Sequence, residues 1–195
     1  MTARARAALA ATLLALASGA CGRQPPPRDD GCPPAAPAGA PVDPALLAFL
    51  SRARSAHHVA DRHEDAQDLE AAIGALRGVT EGPAPAGGVE ARAESREVVA
   101  DTHARLADLE SRRQRFDAAE AALAAGLALA RETTYVRGHL LEVRGHVVER
   151  RAQWHADAGR PADAAADRKR ALDAFEESMA VQAKVIECSV AEAPR

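Results

Sequence analysis

The chain carries seven histidines, and three of them crowd into "HHVADRHED", residues 57–65. His57 and Asp61 lie four residues apart, on one face of a helix, with His58, His63, Glu64 and Asp65 close by. Imidazole and carboxylate at that spacing can chelate zinc. Only one face of one helix is involved, however, and there is neither an H-E-x-x-H run nor a Cys–His pair at finger spacing. A solvated polar helix end is the plainer reading, with a histidine-rich metal site as its alternative. His139 and His146, seven apart, share a face too, but the arginine between them repels a cation. No G-x-S-x-G occurs, Ser178 and Lys184 are too far apart for an S-x-x-K pair, and "PAGG" at 85–88 lacks the Lys-Ser/Thr of a phosphate loop. The chain is therefore expected not to be an enzyme and to need no cofactor.

The elements that position these residues read as helices. Aromatic residues make up 3% of the sequence, and alanine supplies most of its 47% hydrophobic content; alanine is the best helix former, and few aromatics disfavour a sheet sandwich. After Pro44 the prolines are Pro83, Pro85, Pro161 and Pro194, so residues 86–160 can be helical throughout. Apolar residues recur at spacings of three and four. The stripes are Leu46, Leu50, Ala53 and His57; Leu69, Ala72, Ile73 and Leu76; Val99, Thr102, Leu106 and Leu109; Phe116, Ala119, Leu123, Leu127 and Ala130; Val136, Leu140, Val143, Val147 and Trp154; and Leu172, Phe175, Met179 and Ile186. Six helices follow, at about 44–61, 64–78, 89–112, 115–131, 134–158 and 161–187. "TEGPAPAGG" (80–88) is a loop and "AGRP" (158–161) a tight turn. The expected class is all-α.

The second helix of each pair repeats itself: "DLEAAIGAL" (68–76), "RFDAAEAALAAGLALA" (115–130) and "RPADAAADRKRAL" (160–172). Ala72, Ala119 and Ala164 align with steps of 47 and 45 residues. This resembles the tetratricopeptide repeat, a helix–turn–helix unit stacked into a superhelix. In the best copy, residues 100–130, Leu106 and Ala107 match the family's leucine–small pair, Phe116 the aromatic after the turn, Ala119 the small residue and Leu123 the large one after it. Glu110 stands where the family places an aromatic, and no glycine or aspartate marks the turn at Gln114–Arg115. The resemblance implies three antiparallel hairpins stacked as a TPR-like α-solenoid over 45–187, followed by a tail, 188–195. A plain antiparallel helical bundle is the alternative.

The N-terminus has the three parts of a secretory signal: arginines in Met1–Arg6, an 11-residue uncharged run over Ala7–Ala17, and small residues before Cys21. The expected signal peptide is 1–20. "SGAC" resembles the lipobox of bacterial lipoproteins, which implies lipidation of Cys21, and Gly22 rather than aspartate after it implies delivery to the outer membrane. Residues 22–44 hold eight of the twelve prolines and read as a semi-rigid tether; segment 21–44 would thus be an anchor and spacer. Ordinary signal cleavage, leaving a soluble periplasmic chain, is the alternative. Without 1–20 the chain carries 23 basic and 28 acidic residues, a net charge of −5, which argues against a nucleic-acid partner. With Cys21 lipidated, Cys32 and Cys188 are left in an oxidising setting, where a disulfide between them is open to them.

In the repeat family the first helices line a groove that holds a partner peptide. Carried over, the groove positions are Arg54, His57 and Asp61; Asp101, Ala104, Asp108 and Arg112; and His146, Glu149 and Gln153. The layout is thus expected to be a membrane-anchored, periplasm-facing adaptor or scaffold that binds a protein partner through this face, with a purely structural helical-bundle lipoprotein as the alternative.

Overall fold

A computed structural model describes residues 43–192. The expected signal peptide, Cys21, Cys32 and the tether up to residue 42 lie outside them. The described residues are all-α, with six α-helices and no strand: α1 Pro44–Asp65, α2 Leu69–Thr80, α3 Ala93–Arg112, α4 Phe116–Leu129, α5 Tyr135–Asp157 and α6 Pro161–Glu192, with one 3-10 turn at Val89–Ala91. None of these helices is long and apolar enough to cross a membrane. Helix α1 runs four residues beyond its expected end, and α3 starts four residues late. There Ser95, fully buried, donates its hydroxyl to the carbonyls of Val89 and Arg92 and closes the turn against the helix.

Local chemistry explains the helix starts. Asp43 accepts the Ala45 N–H ahead of Pro44, Asp68 accepts that of Ala71, and Thr134 that of Arg137, each satisfying an N-terminal donor. The stops within the hairpins are copies of one another. Gln67, Gln114 and Gly159 each take a left-handed backbone, φ 60°, 60° and 70°. The next N–H reaches back five residues: Asp68 to His63, Arg115 to Glu110 and Arg160 to His155, at 2.8–3.0 Å. This is a Schellman-type helix end, which normally recruits glycine. Two of the three turns use glutamine instead, which costs about 1–2 kcal/mol of backbone strain. Gln114→Gly is accordingly expected to stabilise the chain by about 0.5–1 kcal/mol, less than the strain because glycine is freer when unfolded. Urea unfolding measures it; a loss would mean the glutamine side chain contributes contacts that outweigh its backbone.

The helices form three hairpins, α1–α2, α3–α4 and α5–α6, with α3 packing on both helices of the first hairpin and α5 on both helices of the second. Apolar clusters fill the seams. Ala60, Ala72, Ile73, Leu76, Leu106 and Leu109 join the first hairpin to α3. Ala100, Ala104, Ala107, Ala119, Leu123, Leu140 and Val147 join the second to α5. Ala72, Ala119 and Ala164 are all fully buried, so the repeated alanine marks close helix approach in every copy.

One expected stripe is wrong. Leu172, Met179 and Ile186 do not face the core; they are 62–64% exposed. The buried face of α6 is instead Ala164, Asp167, Ala171, Ala174, Ser178 and Cys188. The reason lies on α5, whose Gly138 and Gly145 are buried at the contact, under Gln182 and Phe175 respectively. Glycines let the two helices approach closely, and small residues on α6 are then what fits. Ser178 donates to the Gly138 carbonyl at 2.8 Å across this seam. Cys188 is disulfide-bonded; Cys32 lies outside the described residues.

Candidate functional site

Helices α1, α3 and α5 lie side by side, and the residues expected to line a groove sit along them. Several of them are tied to other side chains on the neighbouring helix. Arg105 of α3 donates to Asp61 and Glu64 of α1 and to the His57 carbonyl. Arg112 donates to Glu64 at 2.6 Å. On the other side, Arg150 of α5 donates to Asp108 at 2.6 Å and to the Ser111 hydroxyl. His139 stands 3.8 Å from Asp101. The result is a ladder of guanidinium–carboxylate pairs running across the three first helices. Asp108 and Arg112, expected to line the groove, are both engaged: Asp108 is half-buried under Arg150 and Arg112 is held on Glu64. Ala104 is fully buried in the core. The positions that stay open are Arg54, His146, Glu149 and Gln153, with Gln153 donating to Asp157 one turn on.

The electrostatics follow from these contacts. Hydrogen bonds from Arg105 hold the Asp61 carboxyl below its ordinary range. Burial pushes Glu64 up, but hydrogen bonds and charge from Arg105 and Arg112 outweigh it and leave that carboxyl depressed as well. With their oxygens on arginines, Asp61 and Glu64 are not set up to ligate a cation. Among the described residues no three His, Cys, Asp or Glu side chains converge as a metal would require.

His57 takes a different role. Its Nε2 lies 2.9 Å from Oγ1 of the fully buried Thr102, whose hydroxyl donates to the Val98 carbonyl. The hydroxyl proton is thereby committed, so Nε2 must be the protonated nitrogen, donating to Oγ1. Burial pushes His57 down from the ordinary imidazole value, the charge of Asp101 opposing it, and burial alone pushes His103 down. An imidazole depressed in the folded state protonates first in the unfolded chain. Stability should be full above about pH 6.5 and fall as pH drops from there through the folded values. Thermal midpoints measured from pH 7.5 down to 5.5 should decline. His57→Gln, which keeps a donor to Thr102, should flatten part of that decline; an unchanged slope would take His57 out of the linkage.

A second feature was not foreseen. Between the α3–α4 turn, the end of α5 and the start of α6 opens a cleft of about 750 Å³. Its apolar wall is Phe116 and Trp154, ring centroids 5.7 Å apart, with the Arg160 guanidinium 4.2 Å over the indole. Its floor is Asp167, nearly fully buried, which accepts two hydrogen bonds from Arg151 at 2.8 and 3.0 Å and one from Arg170. Those bonds hold the Asp167 carboxyl below the ordinary range. His155 lies beside it, 3.5 Å from Asp167. The single tryptophan, placed in the sequence at the end of an apolar stripe, was the one signal that could have pointed here. Asp167 is thus neutralised by Arg151 and Arg170, while buried nitrogens of two other lining side chains, Arg115 and His155 (Nδ1), have no hydrogen-bond partner among the described residues. No protein-family model, curated protein or solved structure matches the chain.

Proposed function

We propose that the protein is a lipid-anchored, periplasm-facing adaptor whose three hairpins form a TPR-like stack, and that it binds a protein partner on the side of α1, α3 and α5. The observation that carries this reading is the repetition of the hairpin itself. The same helix end recurs at Gln67, Gln114 and Gly159 with steps of 47 and 45 residues, and each hairpin's first helix lies against the first helix of the next. A repeat that stacks in this way presents one continuous face. Arg54, His146, Glu149 and Gln153 are the residues free to contact a partner there. A photo-crosslinking residue placed at Glu149 or Gln153 in the native envelope should trap one adduct of constant mass. The same residue at Gly78, exposed on α2, should not. Equal adducts at all three positions would sink the face assignment.

The ladder of Arg105 and Arg150 supports the second reading, a structural helical bundle without peptide recognition, because side chains spent on neighbouring helices are not free for a partner. The crosslinking contrast separates the two. The anchor rests on "SGAC" and the proline-rich residues after it. Radiolabelled palmitate should enter the wild-type chain and not Cys21→Ala; a label-free wild type would indicate ordinary signal cleavage.

A further inference from the structure

In the cleft beside Trp154 we propose a binding site for a small, neutral, planar molecule with a carbonyl and an N–H on one edge, such as an aromatic amide or a lactam ring. The cleft's volume, about 750 Å³, is that of pockets which enclose small molecules. Its flat wall is made by Phe116 and Trp154, tilted rings 5.7 Å apart, and Trp154 is 37% exposed. A planar ring laid against that wall removes apolar surface from water on both sides of the contact.

The charges around the cleft favour a neutral occupant. Arg115 is paired with Glu70 and Glu110, Arg151 with Glu120 and Asp167, and Arg170 with Asp167. Arg160 lies on the indole instead of on a carboxylate. Asp117 and Asp163, also in the lining, are exposed and hold no arginine among the described residues. An anion would gain Arg160 but meet the two aspartates, and a cation would gain the aspartates but meet Arg160. Neither sign of charge prevails.

What the wall lacks is a partner for each of two nitrogens, Nη2 of Arg115 and Nδ1 of His155, both buried. A guanidinium can only donate, so Nη2 calls for an oxygen. In the His155 ring, Nε2 stands 3.5 Å from the buried Asp167 and Nδ1 3.9 Å from the exposed Asp163. The nearer, less hydrated carboxylate draws the ring proton to Nε2, which leaves Nδ1 as an acceptor that calls for an N–H. A buried polar atom without a partner costs free energy that a bond returns. A small side-chain rotation that brings either nitrogen onto a ligand is therefore favoured. An amide edge supplies the oxygen and the N–H together; a carboxylate supplies oxygens alone. None of these residues is among those proposed to meet a protein partner, so the site does not depend on what that face binds.

The chain has one tryptophan, so its indole N–H gives a single magnetic-resonance signal that reports on the cleft. In the purified full-length protein in detergent, 2-quinolinone, a planar lactam, should shift that signal saturably with a dissociation constant below about 0.5 mM. The compound 1-methyl-2-quinolinone, which lacks the N–H, should bind about tenfold more weakly, and so should the anion quinoline-2-carboxylate. Two variants probe the wall. Arg115→Lys keeps a positive charge between Glu70 and Glu110 but has no Nη2, and His155→Phe keeps a ring without nitrogens. With an unchanged helical circular-dichroism spectrum, each should weaken 2-quinolinone about tenfold. His155→Phe should also erase the preference over the methylated compound. A wild-type signal that shifts without saturating, alike for all three compounds, would be partition into detergent and overturns the inference. Equal affinity for the methylated lactam, tighter binding of the carboxylate, or folded variants that bind as wild type does overturn it equally.

Discussion

Glu110→Ala is expected to lower the unfolding free energy by about 2–3 kcal/mol, among the largest losses any single polar residue should give in this fold. The Glu110 side chain is 3% exposed and accepts Arg77 of α2 at 2.8 Å on one oxygen and Arg115 on the other. One carboxylate on α3 therefore binds the preceding hairpin and the turn that leads into α4. Breaking a buried pair by removing one partner costs about 3–5 kcal/mol when the other charge is left stranded. Here Arg77 and Arg115 are 50% and 37% exposed and can partly rehydrate, which brings the expected figure down. Arg115 also keeps Glu70, so Arg77→Ala or Arg115→Ala alone should cost less than Glu110→Ala. Glu110→Gln, which retains the shape and one acceptor, should fall between. Urea unfolding of the four variants orders them; a Glu110→Ala loss below about 1 kcal/mol would mean that rehydration of the two guanidiniums cancels the pair.

The same residue shows what the sequence could and could not reveal. Glu110 stood out as a departure from the repeat, a charge where an aromatic belongs. Its partners, 33 residues before it and five after, sit on α2 and in the turn that leads into α4, and no apolar spacing links them. The six helices were legible because apolar spacing, proline placement and the alanine repeat all encode them locally. Boundaries slipped where the deciding contact was not apolar: Ser95 capping a 3-10 turn, and a left-handed Gln67 that no turn residue announced. The α6 stripe misled for a physical reason. Periodicity reports that a helix has an apolar face, not which neighbour covers it, and α6 has two faces of that period. Ala164, Ala171 and Ala174 make the buried one and Leu172, Met179 and Ile186 the exposed one, and larger side chains give the stronger signal.

For the proposed partner face, spacing along the chain places residues on the first helices but says nothing of their availability. Asp61, Asp101, Asp108, Arg112, His146 and Glu149 lie on α1, α3 and α5, of which α3 packs against both others. Which of them are free depends on Arg105 and Arg150, long side chains that reach across to the neighbouring helix. Arginine reach over such distances is a property of tertiary geometry, invisible in a single chain's spacing. Reversing Asp108 and Arg112 to probe partner binding would for that reason also disturb the stack, and Arg54 and Glu149 are the cleaner positions.

Gly145→Val should cost about 2–3 kcal/mol, and the loss should be traceable to one neighbour. A Cβ built on Gly145 would sit 2.6–2.7 Å from Cζ and Cδ1 of Phe175, nearer than real carbon atoms approach. Glycine in a helix interior is otherwise a liability of about 1 kcal/mol relative to alanine, so its presence on α5 reflects the close approach of α6. A branched side chain there must push the Phe175 ring outward or part the two helices, and this is the most extensive helix pair in the fold. Phe175→Ala removes the obstructing ring, at its own cost in lost burial and in the edge contact with His146. In the double variant the valine meets space instead of a ring. The two losses should therefore not add: the double variant should be at least about 1 kcal/mol more stable than the sum predicts, a coupling typical of residues in direct contact. Simple additivity in a thermal or urea double-mutant cycle would show that Gly145 is required by something other than Phe175, and would remove the packing account of why α6 turns its small residues inward and its large ones out.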